Sequence, residues 1–110
     1  MKRGDIVIAA PPGAYGKPRP VVVIQADAFE LPSATVVPFT SVLTDAPLLR
    51  ILLEPDAHNG LEKRSQVMID KAVTLPRAKI GQQIGRVDAA TMQAVSRALV
   101  AFFGVEAATA

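Results

Sequence analysis

Two β-branched runs in this chain are bounded by prolines, and that limits the fold more than any other feature. Val21-Val22-Val23-Ile24 follows Lys17-Pro18-Arg19-Pro20, and Val36-Val37 runs into Pro38-Phe39-Thr40-Ser41. Proline has no N–H to give to a sheet ladder, so it marks strand ends, edges and bulges. The runs are therefore short strands rather than spans of a long flat sheet. An apolar run as continuous as residues 21–24 predicts a strand buried on both faces. Each run also leaves a polar residue, Arg19 or Thr40, within two residues of a proline at its end. A strand end is where a rigid scaffold can hold a side chain toward a ligand. The question these two residues pose is whether they face the same one.

The other elements follow from alternation and punctuation. Residues 5–10 alternate as a first strand, and residues 11–18, with three prolines and two glycines, form a loop. Strands are predicted over 21–26, 35–40, 48–53 and 65–70, with Val67 and Ile69 sharing a face of the last. Residues 54–60 are turn-forming throughout. Residues 74–82 read as irregular or a short turn of helix, and 83–87 as a last short strand. The pattern then changes period. Asp88 is a good N-cap, Met92, Val95, Leu99 and Phe102/Phe103 recur at helical spacing, and Gly104 fits the position just past the helix end. One amphipathic helix is predicted over 89–103, with 105–110 frayed. Phe29, Phe39, Phe102 and Phe103 are expected in or near the core. Five or six short strands and one C-terminal helix make a mainly β, strongly bent, barrel-like sheet.

A length of 110 residues fits one domain spanning 1–110, and a hydrophobic share of one half is enough for a core. The absence of cysteine excludes disulfides and thiolate metal sites. The N-terminus has no signal-peptide pattern and no run is long enough to span a membrane, so a cytoplasmic protein is expected. The net charge is only +2, but residues 63–86 hold Lys63, Arg64, Lys71, Arg77, Lys79 and Arg86 against the single acid Asp70. Such a surplus either attracts phosphate or is a set of solvated strand ends.

The residues also exclude familiar chemistries. No Gly-rich phosphate loop precedes a helix, and no acidic cluster replaces the missing thiolates as a metal site. The one histidine, His58, lies in the turn-forming loop beside Asp56 and Asn59, where a solvated side chain is the ordinary reading. What remains is arginine and hydroxyls. That set suits RNA cleavage, because the ribose 2′-hydroxyl is a nucleophile already adjacent to the phosphorus. The enzyme has to help remove its proton, stabilise charge on the phosphorane oxygens and help the 5′-oxygen leave. Arginine is a poor base but a strong donor fork for phosphate, and a hydroxyl can donate to a phosphate oxygen or orient the nucleophile. Taken singly, each residue keeps a plainer reading. Arg19 can be solvated at a strand start, Thr40 and Ser41 can satisfy local backbone groups, Asp70 can cap a turn, and Tyr15 can cover the barrel end instead of stacking on a base.

Taken in order, these segments resemble the MazF/PemK family of toxin–antitoxin endoribonucleases. The resemblance is carried by Arg3-Gly4-Asp5-Ile6-Val7, Lys17-Pro18-Arg19-Pro20-Val21-Val22-Val23-Ile24 and Val37-Pro38-Phe39-Thr40-Ser41. It continues through Gly60-Leu61, Ser65-Gln66-Val67-Met68-Ile69-Asp70-Lys71, Ile80-Gly81 and Ile84-Gly85-Arg86-Val87. It implies an SH3-like barrel of five to seven strands with a C-terminal helix, usually a homodimer. It implies metal-independent, cofactor-free cleavage of single-stranded mRNA at short motifs, through a 2′,3′-cyclic phosphate, and a cognate antitoxin whose disordered tail occupies the RNA groove. The family's catalytic arginine and threonine fall on Arg19 and Thr40, and a second hydroxyl on Ser41. Tyr15, Lys17, Ser41, Gln66 and Asp70 stand as substrate-binding candidates. Some members use an Arg-x-Asp pair on the later strand; here Asp70 is present but Met68 stands two before it. A histidine that some members carry in the first loop is also absent. The alternative is a CcdB-like toxin that inhibits gyrase through protein contacts at the helix end Phe102-Phe103-Gly104-Val105. A binding module that has lost activity is a third reading.

Overall fold

The computed structural model describes residues 1–12 and 17–105. Seven strands form one antiparallel sheet: β1 (Asp5–Ala9), β2 (Arg19–Val23), β3 (Ser33–Thr40), β4 (Arg50–Leu53), β5 (Ser65–Met68), β6 (Val73–Pro76) and β7 (Ile80–Arg86). Their order is β4-β5-β3-β2-β1-β7, with β6 paired to β3. The helix α1 (Ala89–Phe102) follows. β3 organises the sheet. Its last two residues pair with β5 (Phe39↔Val67, Thr40↔Gln66) and its first four with β6 (Ser33↔Pro76 to Val36↔Val73). β5 and β6 thus run along one edge of β3, separated by a single 3₁₀ turn at Ile69–Lys71.

That corner corrects two expectations. The strand predicted through residue 70 stops at Met68, because the chain bends there to drive Ile69 fully into the core. The segment after it is not merely irregular. It contains β6, a turn of 3₁₀ helix at Arg77–Lys79, and the first half of β7. Pro76 is tolerated because β6 pairs on one side only. β7 reads poorly as a strand (Gly81-Gln82-Gln83), and its pairing with β1 is broken by two register shifts.

β2 is buried on both faces, as its composition predicts: Val21 and Val22 are inaccessible and Val23 nearly so. The alternation feeds two clusters. Ile6, Val22, Val37, Phe39, Val67 and Ile69 pack with Val95 and Leu99 of the helix. Val7, Val21, Val23 and Val36 pack with Leu75 on the other face. Each such side chain contributes roughly 1.5–3 kcal/mol by leaving water. Three of the four phenylalanines depart from expectation. Phe39 is core, but Phe29, Phe102 and Phe103 are exposed by 60%, 45% and 60%. The last two stand at the C-terminal end of α1, where their rings meet edge to face at 5.5 Å.

Both helix ends form as the sequence indicates. The Asp88 carboxylate accepts from the Thr91 N–H at 2.7 Å. At the other end Gly104 adopts φ 68°, and the Gly104 and Val105 N–H groups donate to the Ala101 and Val100 carbonyls, which is a Schellman closure. The backbone hydrogen bond from Thr91 holds the Asp88 carboxyl below its ordinary value. A depressed folded-state value means the cap's ionic contribution is fully present above the unfolded carboxylate value and is lost as pH falls from there through the lower folded-state value. Asp88→Asn should therefore flatten part of the acid-side decline in Tm, and Asp88→Ala should lower Tm by a few degrees at neutral pH with the deficit narrowing in acid; a melting series over pH checks both.

Candidate active site

The antiparallel register of β2 and β3 brings the two proline-marked strand ends together. Val23↔Val36, Val22↔Val37 and Val21↔Pro38 are the observed partners. Continuing that register by two residues sets Arg19 across from Thr40. Residues directly opposite in an antiparallel pair project from the same face. Both line a cleft of about 700 Å³, together with Lys17, Ser41, Lys63 and Glu62. Its floor is apolar, from Ile8, Phe39 and Ile84. Three cations against one carboxylate make the cleft a site for an anion.

Arg19 is held at the start of β2 by pairing with Ala9 of β1. Its Nε is shielded from solvent and has no hydrogen-bond partner among the described residues. A shielded donor without a partner is costly, and a phosphate oxygen is the acceptor that would satisfy it. Thr40 Oγ1 accepts from the Val42 N–H at 3.1 Å. Local backbone satisfaction is therefore part of this hydroxyl's role, yet its own proton remains available to donate.

The third wall was not legible beforehand. Residues 60–63 between β4 and β5 form it, and an asparagine holds it in place. Asn59 is 3% exposed. Its Oδ1 accepts from the Asp56 and Leu61 N–H groups at 3.1 and 3.0 Å, and its Nδ2 donates to the Glu54 carbonyl at 2.8 Å. Gly60, at φ 67°, then lies against the backbone of Ile84 in β7. The sequence signal was the Asp-Ala-His-Asn-Gly turn, but nothing in it said which way the turn faced.

Two substrate-binding candidates do not reach the cleft. Gln66 is buried and locked to the 41–49 loop, exchanging two 2.9 Å hydrogen bonds with the backbone of Thr44. Asp70 is ion-paired to Arg50, which stands directly across from Met68 in the β4–β5 register. An arginine–aspartate pair is thus present at this corner, with the arginine delivered from the neighbouring strand. Burial pushes the Asp70 carboxyl up, but the hydrogen bond from Arg50, its own backbone N–H and the charges of Arg50 and Lys71 outweigh it and hold it below the ordinary value. Asp70→Asn should cost about 1.5–3 kcal/mol of stability, by the usual worth of a hydrogen bond to a charged group, and leave RNA cleavage within a few-fold of the parent; thermal melts and a cleavage assay check the two halves. Tyr15 lies outside the described residues.

The basic stretch over residues 63–86 disperses on folding. Only Lys63 of its six cations lines the cleft. Arg64 pairs with Glu54, Arg86 with the buried Asp5, and Arg77 donates to the Leu31 carbonyl. His58 does not line the cleft either. Among the described residues no group of three or more His, Cys, Asp or Glu is arranged to hold a metal, and no helix is long and apolar enough to cross a membrane.

Comparison with known proteins agrees with this geometry. Residues 2–103 match the family described as PemK-like, MazF-like toxin of type II toxin–antitoxin system. The chain is 51% identical over 107 residues to a probable endoribonuclease MazF of Mycolicibacterium smegmatis, covering 96% of this chain and 98% of that protein. The fold superposes on the Mycobacterium tuberculosis toxin MazF-mt6 with a TM-score of 0.80 at 28% identity, over 94% of this chain and 99% of that one. A mycobacterial endoribonuclease solved in complex with its cognate antitoxin shares the fold with a TM-score of 0.81 at 21% identity, over 98% and 99% of the two chains. With the fold, the ordered motifs and these matches in agreement, the chain belongs to the PemK-like, MazF-like toxin family of type II toxin–antitoxin systems.

Proposed function

We propose that this toxin is an endoribonuclease that cuts single-stranded RNA in the Arg19–Thr40 cleft, by attack of the ribose 2′-hydroxyl on the adjacent phosphorus. The observation that carries the reading is one cleft lined by both an arginine with a shielded, unpartnered Nε and a threonine hydroxyl with a proton to give, at the ends of the paired strands β2 and β3. In this reading the Arg19 guanidinium neutralises the charge that builds on the phosphorane oxygens, and Thr40 donates to one of them. Lys17 and Ser41 hold the flanking backbone. The nucleophile belongs to the substrate, so the chemistry calls for no metal and no cofactor.

Family membership favours this over a gyrase-directed toxin. The relatives' names supply the remaining parts of the proposal: RNA as the substrate, and a cognate antitoxin that neutralises the toxin. We place the protein in the cytoplasm with both. The exposed helix end, with Val100, Phe102, Phe103 and Val105, favours pairing with a second copy of the chain. The test is to incubate purified protein with a long RNA in EDTA and map the ends. Fragments with 2′,3′-cyclic phosphate and 5′-hydroxyl termini are expected; intact RNA would defeat the proposal.

A further inference from the structure

The reaction needs a base, and the groups so far assigned to the cleft do not supply one. Arginine stays protonated, Lys17 and Lys63 are there to meet phosphate, and the Thr40 and Ser41 hydroxyls are neutral. His58 lies off the cleft. Asp70 is committed to Arg50, Asp5 to Arg86, and Glu54 to Arg64. Among the described residues, Glu62 is the one carboxylate lining the cleft, and it joins no ion pair.

The Glu62 side chain is exposed, but the loop that carries it is fixed by its neighbours. On one side Leu61 is buried, with its N–H on Asn59 Oδ1, and Gly60 is wedged against Ile84. On the other, Ser65 is buried in β5 and its Oγ donates to the Lys63 carbonyl at 2.8 Å. Glu62 therefore stands on a short loop fixed at both ends, on the wall that completes the cleft begun by the Arg19 and Thr40 strand ends. A carboxylate in a cleft that binds a polyanion lowers affinity by like-charge repulsion. A group with that cost is expected to return it in the chemical step.

We propose that Glu62 is the general base of RNA cleavage, a role that rests on the reading of this cleft as the active site. The Glu62 carboxylate takes the proton of the 2′-hydroxyl as the 2′-oxygen bonds to phosphorus. The bond from phosphorus to the 5′-oxygen breaks, and that oxygen receives a proton through solvent water, which regains it from the protonated Glu62. The net change is RNA to a 2′,3′-cyclic phosphate fragment and a 5′-hydroxyl fragment, with no co-reactant consumed.

The test compares the parent, Glu62→Gln, Glu62→Asp and Arg19→Ala on one RNA, over a pH series, with circular dichroism to check folding. Binding is measured on an RNA carrying a 2′-deoxy nucleotide at the scissile position, which cannot react. Glu62→Gln should lower kcat about 100-fold and abolish the acid limb of the pH–rate profile. Its affinity for the inert RNA should be equal or tighter. Glu62→Asp should restore part of the rate and the acid limb with it. A Glu62→Gln protein that cleaves as fast as the parent, or faster, overturns the proposal, since it would mean that Glu62 only repels RNA. Altered cut sites at an undiminished rate also overturn it, because Glu62 would then read a base. If Glu62→Gln is active while Arg19→Ala is inactive, only the base assignment fails. If Arg19→Ala is active as well, the reading of the cleft fails with it.

Discussion

Arg19→Ala is expected to lower kcat/KM for RNA cleavage by roughly 10²–10³-fold, the usual cost of removing a preorganised donor from the place where charge develops. Each tenfold corresponds to about 1.4 kcal/mol of lost transition-state stabilisation, so the prediction asks this side chain for about 3–4 kcal/mol. A guanidinium with a shielded Nε awaiting an acceptor can supply that, because a donor already out of water needs little reorganisation when the phosphorane forms. Arg19→Lys should recover only part of the rate, since the charge returns without the planar fork. The fold should be almost indifferent. Arg19 joins no ion pair among the described residues, and its strand pairing with Ala9 is made by backbone alone. Single-turnover cleavage paired with a melting curve separates the two effects. A large loss of Tm would assign Arg19 to structure instead. Thr40→Ala should be the milder change, roughly 10–100-fold for one hydrogen bond to a charged oxygen, and Thr40→Ser should be nearly silent, because Ser keeps both the acceptor for the Val42 N–H and the proton to donate.

How far the sequence reveals this molecule depends on whether the information is local. Val21, Val22 and Val23 announce a doubly buried strand because alternate burial would need polar residues among them. Asp88 and Gly104 announce a helix because capping is a contact within a few residues. β6 and the first half of β7 were missed because their stability comes from partners far along the chain, β3 and β1. Nothing in Gly81-Gln82-Gln83 favours a strand on its own. Phe102 and Phe103 fit the helical stripe but are left exposed at its end, because period alone does not say where along a helix its packing stops.

The site divides the same way. That Arg19 and Thr40 end strands was readable from Pro18, Pro20 and Pro38; that they end opposite one another depends on register, which only the pairing fixes. Met68 removed one arginine from its strand, and sequence offered no sign that Arg50 would stand across from it and pair with Asp70. Likewise the six cations of residues 63–86 looked like one patch along the chain. They are not one in space, because strands and 3₁₀ turns send them to different partners.

The largest effect on stability is expected at Gly60, where two demands coincide. Its φ of 67° costs an L-residue about 1–2 kcal/mol. An added Cβ would also lie 2.8 Å from the Ile84 carbonyl carbon and nearer still to its oxygen. That neighbour is strand backbone, so it cannot swing aside as a side chain would, and overpacking adds about 1–3 kcal/mol. Gly60→Ala should therefore lose about 3 kcal/mol or more, which for a domain of this size is a fall in Tm on the order of 10–20 °C. Gly104 supplies the control. It has nearly the same φ, 68°, but nothing within 4 Å of the added atom, so Gly104→Ala should cost only the conformational part, about 1 kcal/mol. Gly85 approaches the same contact from the other side, since a Cβ there would lie 2.5 Å from the His58 carbonyl oxygen. Gly85→Ala should destabilise too, and the double variant should lose less than the sum, because one displacement of the 54–61 turn relieves both clashes. That displacement shifts residues 60–63, which line the cleft with Arg19. Cleavage by either single variant should consequently fall even well below its Tm, whereas Gly104→Ala should keep the parent's rate. Equal melting points for Gly60→Ala and Gly104→Ala would show that the turn is not pressed against β7 in solution.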